Sequence, residues 1–176
     1  MTDDRPPQLA LPARRGIGYA NWVGGFRSWG ALKGASSLIV VGTAGAQRTT
    51  VDDHNIPSTA TTVRIDRSLR GDVAPGHSVD VRQTGGVTPD GTDIHIQDFP
   101  LLTPGTRYLL FLTPAVVVPD QFYPVGAPRG VFTISPDDMV DSYNVAAVEI
   151  GVAVRGIPLE QLTTTIHATT ALDVRP

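Results

Sequence analysis

Arg107-Tyr-Leu-Leu-Phe-Leu-Thr113 is the stretch on which the fold turns. Its large apolar residues run on without alternating with polar ones, and the run is too short for an ordinary helix. A strand covered on both faces reads this way. Leu38-Ile-Val-Val-Gly-Thr-Ala44 repeats the signature, apolar on both faces at its start. Two such strands belong in the middle of a core. The surrounding strands alternate instead, as a half-buried strand should. In Thr61–Leu69, Val63 and Ile65 fall on one side and Arg64 and Asp66 on the other. In Ser78–Gln83, Val79 and Val81 point inward and Asp80 and Arg82 outward. Gly130–Ser135 carries a fifth strand, and Asp93–Phe99 adds a short edge piece.

Two of these strands are announced by matching turns, Ala74-Pro-Gly-His77 and Thr103-Pro-Gly-Thr106. Proline presets φ at the second turn position and glycine supplies the positive φ of the third, so both read as type II. Val, Ile, Leu and Thr dominate the chain, with 15 prolines and 18 glycines between the apolar runs, which is the punctuation of a β-protein. At 176 residues with 41% hydrophobic content, there is material for one domain with a real core.

Helical signals flank the strands. Ser28 is placed to cap a short helix carrying Trp29 and Leu32 on one face. Near the C-terminus, Leu159, Leu162 and Ile166 follow Pro158 at helical spacing, and the helix spans about 158–170. Its Thr-rich middle has low intrinsic propensity, so it needs a surface to pack on. The expected organisation is an irregular N-terminal arm over 1–24, a mainly β five-stranded Greek-key barrel over 25–135, and a C-terminal extension over 136–176. Tyr19, Trp22 and Val23 on the arm could dock on the barrel or on a neighbouring subunit, which opens a homo-oligomer reading.

The order of parts carries a resemblance. A short helix precedes Ser37-Leu-Ile-Val-Val-Gly-Thr, Thr62-Val-Arg-Ile-Asp leads to Ser68-Leu-Arg-Gly-Asp-Val, and Pro75-Gly precedes Val79-Asp-Val-Arg-Gln. Then come Leu101-Leu-Thr-Pro-Gly-Thr-Arg-Tyr-Leu-Leu-Phe-Leu and Tyr123-Pro-Val-Gly before Gly130-Val-Phe. This resembles a group of uncharacterised bacterial envelope domains with an oligonucleotide/oligosaccharide-binding (OB) barrel, similar to netrin-like modules and tissue inhibitors of metalloproteinases. The resemblance implies an OB-fold and an extracellular or envelope location. Those inhibitors chelate their target's zinc through an N-terminal cysteine; this chain has no cysteine, so that mechanism is not carried over.

The residues exclude more chemistry than they propose. Without cysteine there is no disulfide, thiol catalysis, zinc ribbon or iron–sulfur cluster. No nucleophile elbow, zincin motif or phosphate loop occurs. Asp52-Asp-His54 reads as a solvated hairpin tip, and Asp90-Gly-Thr-Asp93 lacks the alternating acids of a calcium loop. No cofactor, no metal and no enzymatic activity are expected. The net charge of −3 argues against nucleic acid. No run is long enough to span a bilayer, and Met1–Pro7 lacks the features of a secretion signal.

What remains is surface. The loop from Pro114 to Gly130 joins Val116-Val-Val-Pro to Phe122, Tyr123 and Arg129, the residue types that dominate protein interfaces. These three are the binding candidates for a protein partner. Arg64 and Arg82 complete the set as a face, with Arg107, for an oligosaccharide or single strand.

Overall fold

The computed structural model describes residues 15–18, 26–116, 118–143 and 154–172. Ten strands and two α-helices are built from them: β1 (Arg15–Gly18), α1 (Trp29–Ala35), β2 (Leu38–Val51), β3 (Pro57–Arg70), β4 (Ser78–Val87), β5 (Asp93–Ile96) and β6 (Arg107–Pro114). There follow β7 (Gln121–Pro124), β8 (Val131–Ile134), β9 (Met139–Ser142), β10 (Ile157–Pro158) and α2 (Leu159–Ala168), with a 3-10 turn at Ala127–Gly130. The protein is mainly β, in one sheet ordered β1-β5-β4-β3-β2-β6-β8-β9-β10. β7 lies off this path, pairing β4 in parallel and β6 antiparallel. No helix among the described residues is long and apolar enough to cross a membrane.

The expectation of five strands is corrected to ten. The five expected strands and the edge piece are present, and β2 and β3 run further than their apolar cores. Each reaches 14 residues because Gln47–Val51 pairs Pro57–Thr61 to the hairpin tip. Polar, Thr-rich strand ends are held there by cross-strand bonds such as Thr49 Oγ1 to Thr59 Oγ1 at 2.8 Å. The region expected to be an irregular arm contains β1, which pairs β5 in parallel. β9 continues the sheet beyond position 135, after a hairpin turn in which Asp138 donates its N–H to Ser135 O. Tyr19, Trp22 and Val23 lie outside the described residues.

The unbroken apolar runs find their explanation in two cores on opposite faces of the same strands. Leu38 and Val40 of β2 and Tyr108, Leu110 and Leu112 of β6 join Val63, Ile65, Val79 and Val81 in the first. The intervening residues, Ile39, Val41, Leu109 and Phe111, face the second with Phe132 and Ile134 of β8. The helices cover that second face. α1 inserts Leu32 and lays Trp29 on Phe111 and Phe132, with ring centroids 6.0 and 5.5 Å away. α2 contributes Leu159, Leu162 and Ile166, the expected apolar face. Residues beyond 135 are thus part of a core.

Local chemistry secures these parts. Ser28 Oγ accepts the Ala31 N–H at 3.2 Å and caps α1. Lys33, the single lysine, reaches from α1 to the C-terminal end of α2 and donates to the carbonyls of Ile166, His167 and Thr169 at 2.8, 3.3 and 2.9 Å. That places a cation on the negative end of the helix and satisfies carbonyls left without intrahelical partners. Gly34 leaves room for the chain after α2, since a Cβ there would lie 1.8 Å from Leu172 O. Both Pro-Gly turns close as expected, with φ of +86° at Gly76 and +84° at Gly105.

Candidate functional site

β4 and β7 form a parallel seam of only two residue pairs, Asp80 with Gln121 and Val81 with Phe122. The strands then part, and the gap becomes a pocket. Arg82, Gln83 and Thr84 of β4 form one wall; Tyr123, Pro124, Gly126 and Ala127 form the other, with Phe99 as a third side. Its volume is ≈ 250 Å³. A second, more polar hollow of ≈ 670 Å³ lies at the other end of the seam, lined by Ser78, Val79, Asp80 and Phe122 with Pro114, Ala115, Pro119, Asp120 and Gln121. Val116, the residue after Ala115, is 97% exposed.

Alternation along β4 sets which side chains reach the seam. Val79, Val81 and Gln83 point inward, while Asp80 and Arg82 point outward. Gln83 is buried and bonded at both ends of its amide: its Oε1 accepts the Leu102 N–H at 2.8 Å and its Nε2 donates to Pro100 O at 3.0 Å. Tyr143 supports the same segment by donating its hydroxyl to Leu101 O at 2.8 Å. Burial, with Tyr108 beside it, pushes that phenol well above its usual range, so it stays protonated as a donor. These bonds hold residues 99–102, and therefore Phe99, against the pocket. At its far end β4 is pinned by Gly86 (φ +134°), where a Cβ would lie 2.5 Å from Thr59 Oγ1.

The five sequence candidates divide by position. Arg82 and Tyr123 meet in the smaller pocket. Phe122 lines the larger hollow while also packing half-buried against the first core. Arg129 sits in the 3-10 turn, lining neither; its Nε and Nη1 are shielded from solvent without a hydrogen-bond partner. Arg64 is elsewhere, exposed on β3 and paired with Asp66 at 3.4 Å. Asp66 also faces Arg107 at 3.7 Å, and Arg107 in turn pairs Asp138 at 2.6 Å. Register places Arg64, Arg82 and Arg107 on the same outward face of the sheet, where Asp66, Asp80 and Asp138 are interspersed among them.

Gln83, Thr84, Phe99, Pro124 and Ala127 were missed as site residues. Inward alternation could have singled out Gln83 as a buried polar group, whereas nothing local marks Phe99, which arrives from a turn. The acidic clusters are accounted for by turns. Asp52 Oδ1 accepts the N–H groups of His54 and Ile56, bonds that hold its carboxyl below the ordinary value. Asp90 accepts from the Thr88 hydroxyl and from the N–H and hydroxyl of Thr92, with the same consequence. Among the described residues no group of three or more His, Asp or Glu is arranged to hold a metal ion. No protein-family model matches the chain, and no curated protein matches it.

Proposed function

We propose that this chain is a non-catalytic protein-binding module on an OB-like barrel, and that it grips its partner along the β4–β7 seam. The barrel reading is supported by the pairings, which run from β4 through β3, β2 and β6 to β7 and return to β4. A five-stranded Greek-key barrel with one parallel pair closes in this order. The binding reading is carried by one observation. Two hollows line a single seam, and the nearly fully exposed Val116 follows Ala115, a lining residue of the larger. The non-catalytic reading draws on how the seam's polar groups are used. Asp80 is held by Thr62 and Arg48, Gln83 by the 100–102 segment, and Gln121 by Arg82. An envelope location remains part of the proposal through the resemblance alone.

A photo-crosslinking side chain at Val116 tests the reading in lysate and envelope fractions of the source cell. One protein should be captured, and its capture should fall at least tenfold in Tyr123→Ser. Diffuse crosslinking that ignores this substitution would remove the seam as the interface.

A homo-oligomer is the second reading, favoured by Ile17 and Val87. They share the outward face of the β1–β5–β4 edge at 60% and 56% exposure. Light scattering that gives a monomer at high concentration would dispose of it.

A further inference from the structure

We propose that the pocket where β4 and β7 part receives a single carboxylate carried on an apolar stem. Arg82 is the counter-ion and Phe99, Pro124 and Ala127 are the walls. This rests on the seam being the binding surface and adds the chemistry it recognises.

Arg82 carries the argument. The other arginines on this side of the sheet have carboxylates: Arg48 pairs Asp80, Arg64 pairs Asp66, and Arg107 pairs Asp66 and Asp138. Arg82 has none within ion-pair distance among the described residues. Its two bonds go to neutral oxygens, Gln121 Oε1 at 3.3 Å and Thr50 Oγ1 at 3.5 Å. Both are long for charge-assisted bonds, and a guanidinium has five N–H donors in a planar fork suited to a carboxylate. Tyr123, half-buried across the gap, makes no hydrogen bond through its hydroxyl among the described residues, so a second donor faces the same space. Thr84, exposed and also lining the pocket, adds a third donor group.

Charge and size narrow the ligand. Among the described residues one arginine is the only cation lining the pocket, which matches a monoanion and leaves a phosphate dianion undercompensated. A space of ≈ 250 Å³ takes one side chain rather than a nucleotide or sugar chain. The carboxylate can come from a chain terminus ending in an apolar residue or from an internal glutamate, and both present the same group on a short stem.

The test titrates 3-phenylpropionate into the full ¹⁵N-labelled chain, beside 3-phenylpropionamide and phenyl phosphate. The acid should shift the amides of Gln83, Thr84, Gly126 and Ala127 saturably, with a Kd on the order of millimolar for so small a ligand. The amide should bind at least tenfold more weakly, and phenyl phosphate no better than the acid. Arg82→Gln should weaken the acid about as much as removing its charge does, Arg82→Lys less, and Tyr123→Phe only a few-fold. Arg64→Gln, four residues along the β3–β4 register from Arg82 and outside the pocket lining, should change nothing. A peptide with a free C-terminal leucine and one with an internal glutamate then identify the source. Equal binding of acid and amide, or undiminished acid binding in Arg82→Gln and Tyr123→Phe, overturns the proposal. A Val116 crosslink that persists alongside either result leaves the binding-module reading standing and removes only the carboxylate.

Discussion

Phe122 shows how a residue can look like surface in sequence and be structure in space. Between prolines and beside Tyr123 it resembles an interface anchor, and it does line the larger hollow. It also packs on the first core from β7, so truncation opens a gap behind the seam as well as in front of it. Phe122→Ala should cost about 1–3 kcal/mol in urea unfolding, less than a fully buried Phe because the ring is only half covered. Loss of partner binding in that variant would confound stability with recognition. Tyr123 and Arg82 are the cleaner probes, because they meet at the pocket and Arg82 points away from the cores. Arg82 was legible as an outward residue from alternation alone. That no carboxylate among the described residues comes within ion-pair distance of it, with Asp52 acting only from further off, depends on which strands lie beside it, which no local pattern records.

At the scale of elements, α2 depends on a neighbour far away in sequence. Its Thr-rich middle is a weak helix former, and three of its threonines turn their hydroxyls back to carbonyls of their own helix. Packing of Leu159, Leu162 and Ile166 and the Lys33 cap offset this. Lys33→Met keeps the stem and removes the charge and three bonds. We expect a loss of about 1–3 kcal/mol and earlier proteolytic cleavage within α2 than in β6. Unchanged cleavage would mean that the apolar face holds the helix unaided. Both helices were legible, α1 from its cap and α2 from its spacing, since periodicity and capping are local. Strands β1, β7, β9 and β10 were not. They have two to four residues each, and β1 is half glycine, so pairing rather than propensity makes them strands.

For the whole molecule, the double-sided use of β2 and β6 predicts a gradient of stability. These strands are buried between two cores, whereas β7 meets β4 through two residue pairs only. Amides of Val40, Val41, Leu109 and Leu110 should exchange only through global unfolding. Those of Phe122 and Tyr123 should exchange through smaller openings, their protection falling at least a hundredfold short. Uniform protection across β6 and β7 would contradict a loosely closed seam. Opening there breaks two residue pairs and lifts Phe122 from the edge of the first core, which sets the smaller cost of that opening against global unfolding.

By itself the sequence determined the β character, the two strands covered on both faces, the inward and outward sides of β3 and β4, the Pro-Gly turns and both helices. Each depends on neighbours within a few residues, where steric preference and periodicity act directly. The tertiary structure alone decided that β7 joins β4 to β6, that the chain beyond position 135 shares a core with α1, and that Arg82 and Tyr123 face one pocket. Apart from the β6–β7 hairpin, those outcomes depend on contacts between segments far apart in the chain, such as Asp80 with Gln121. Their free energy comes from burial and pairing that exist only once the chain has closed on itself.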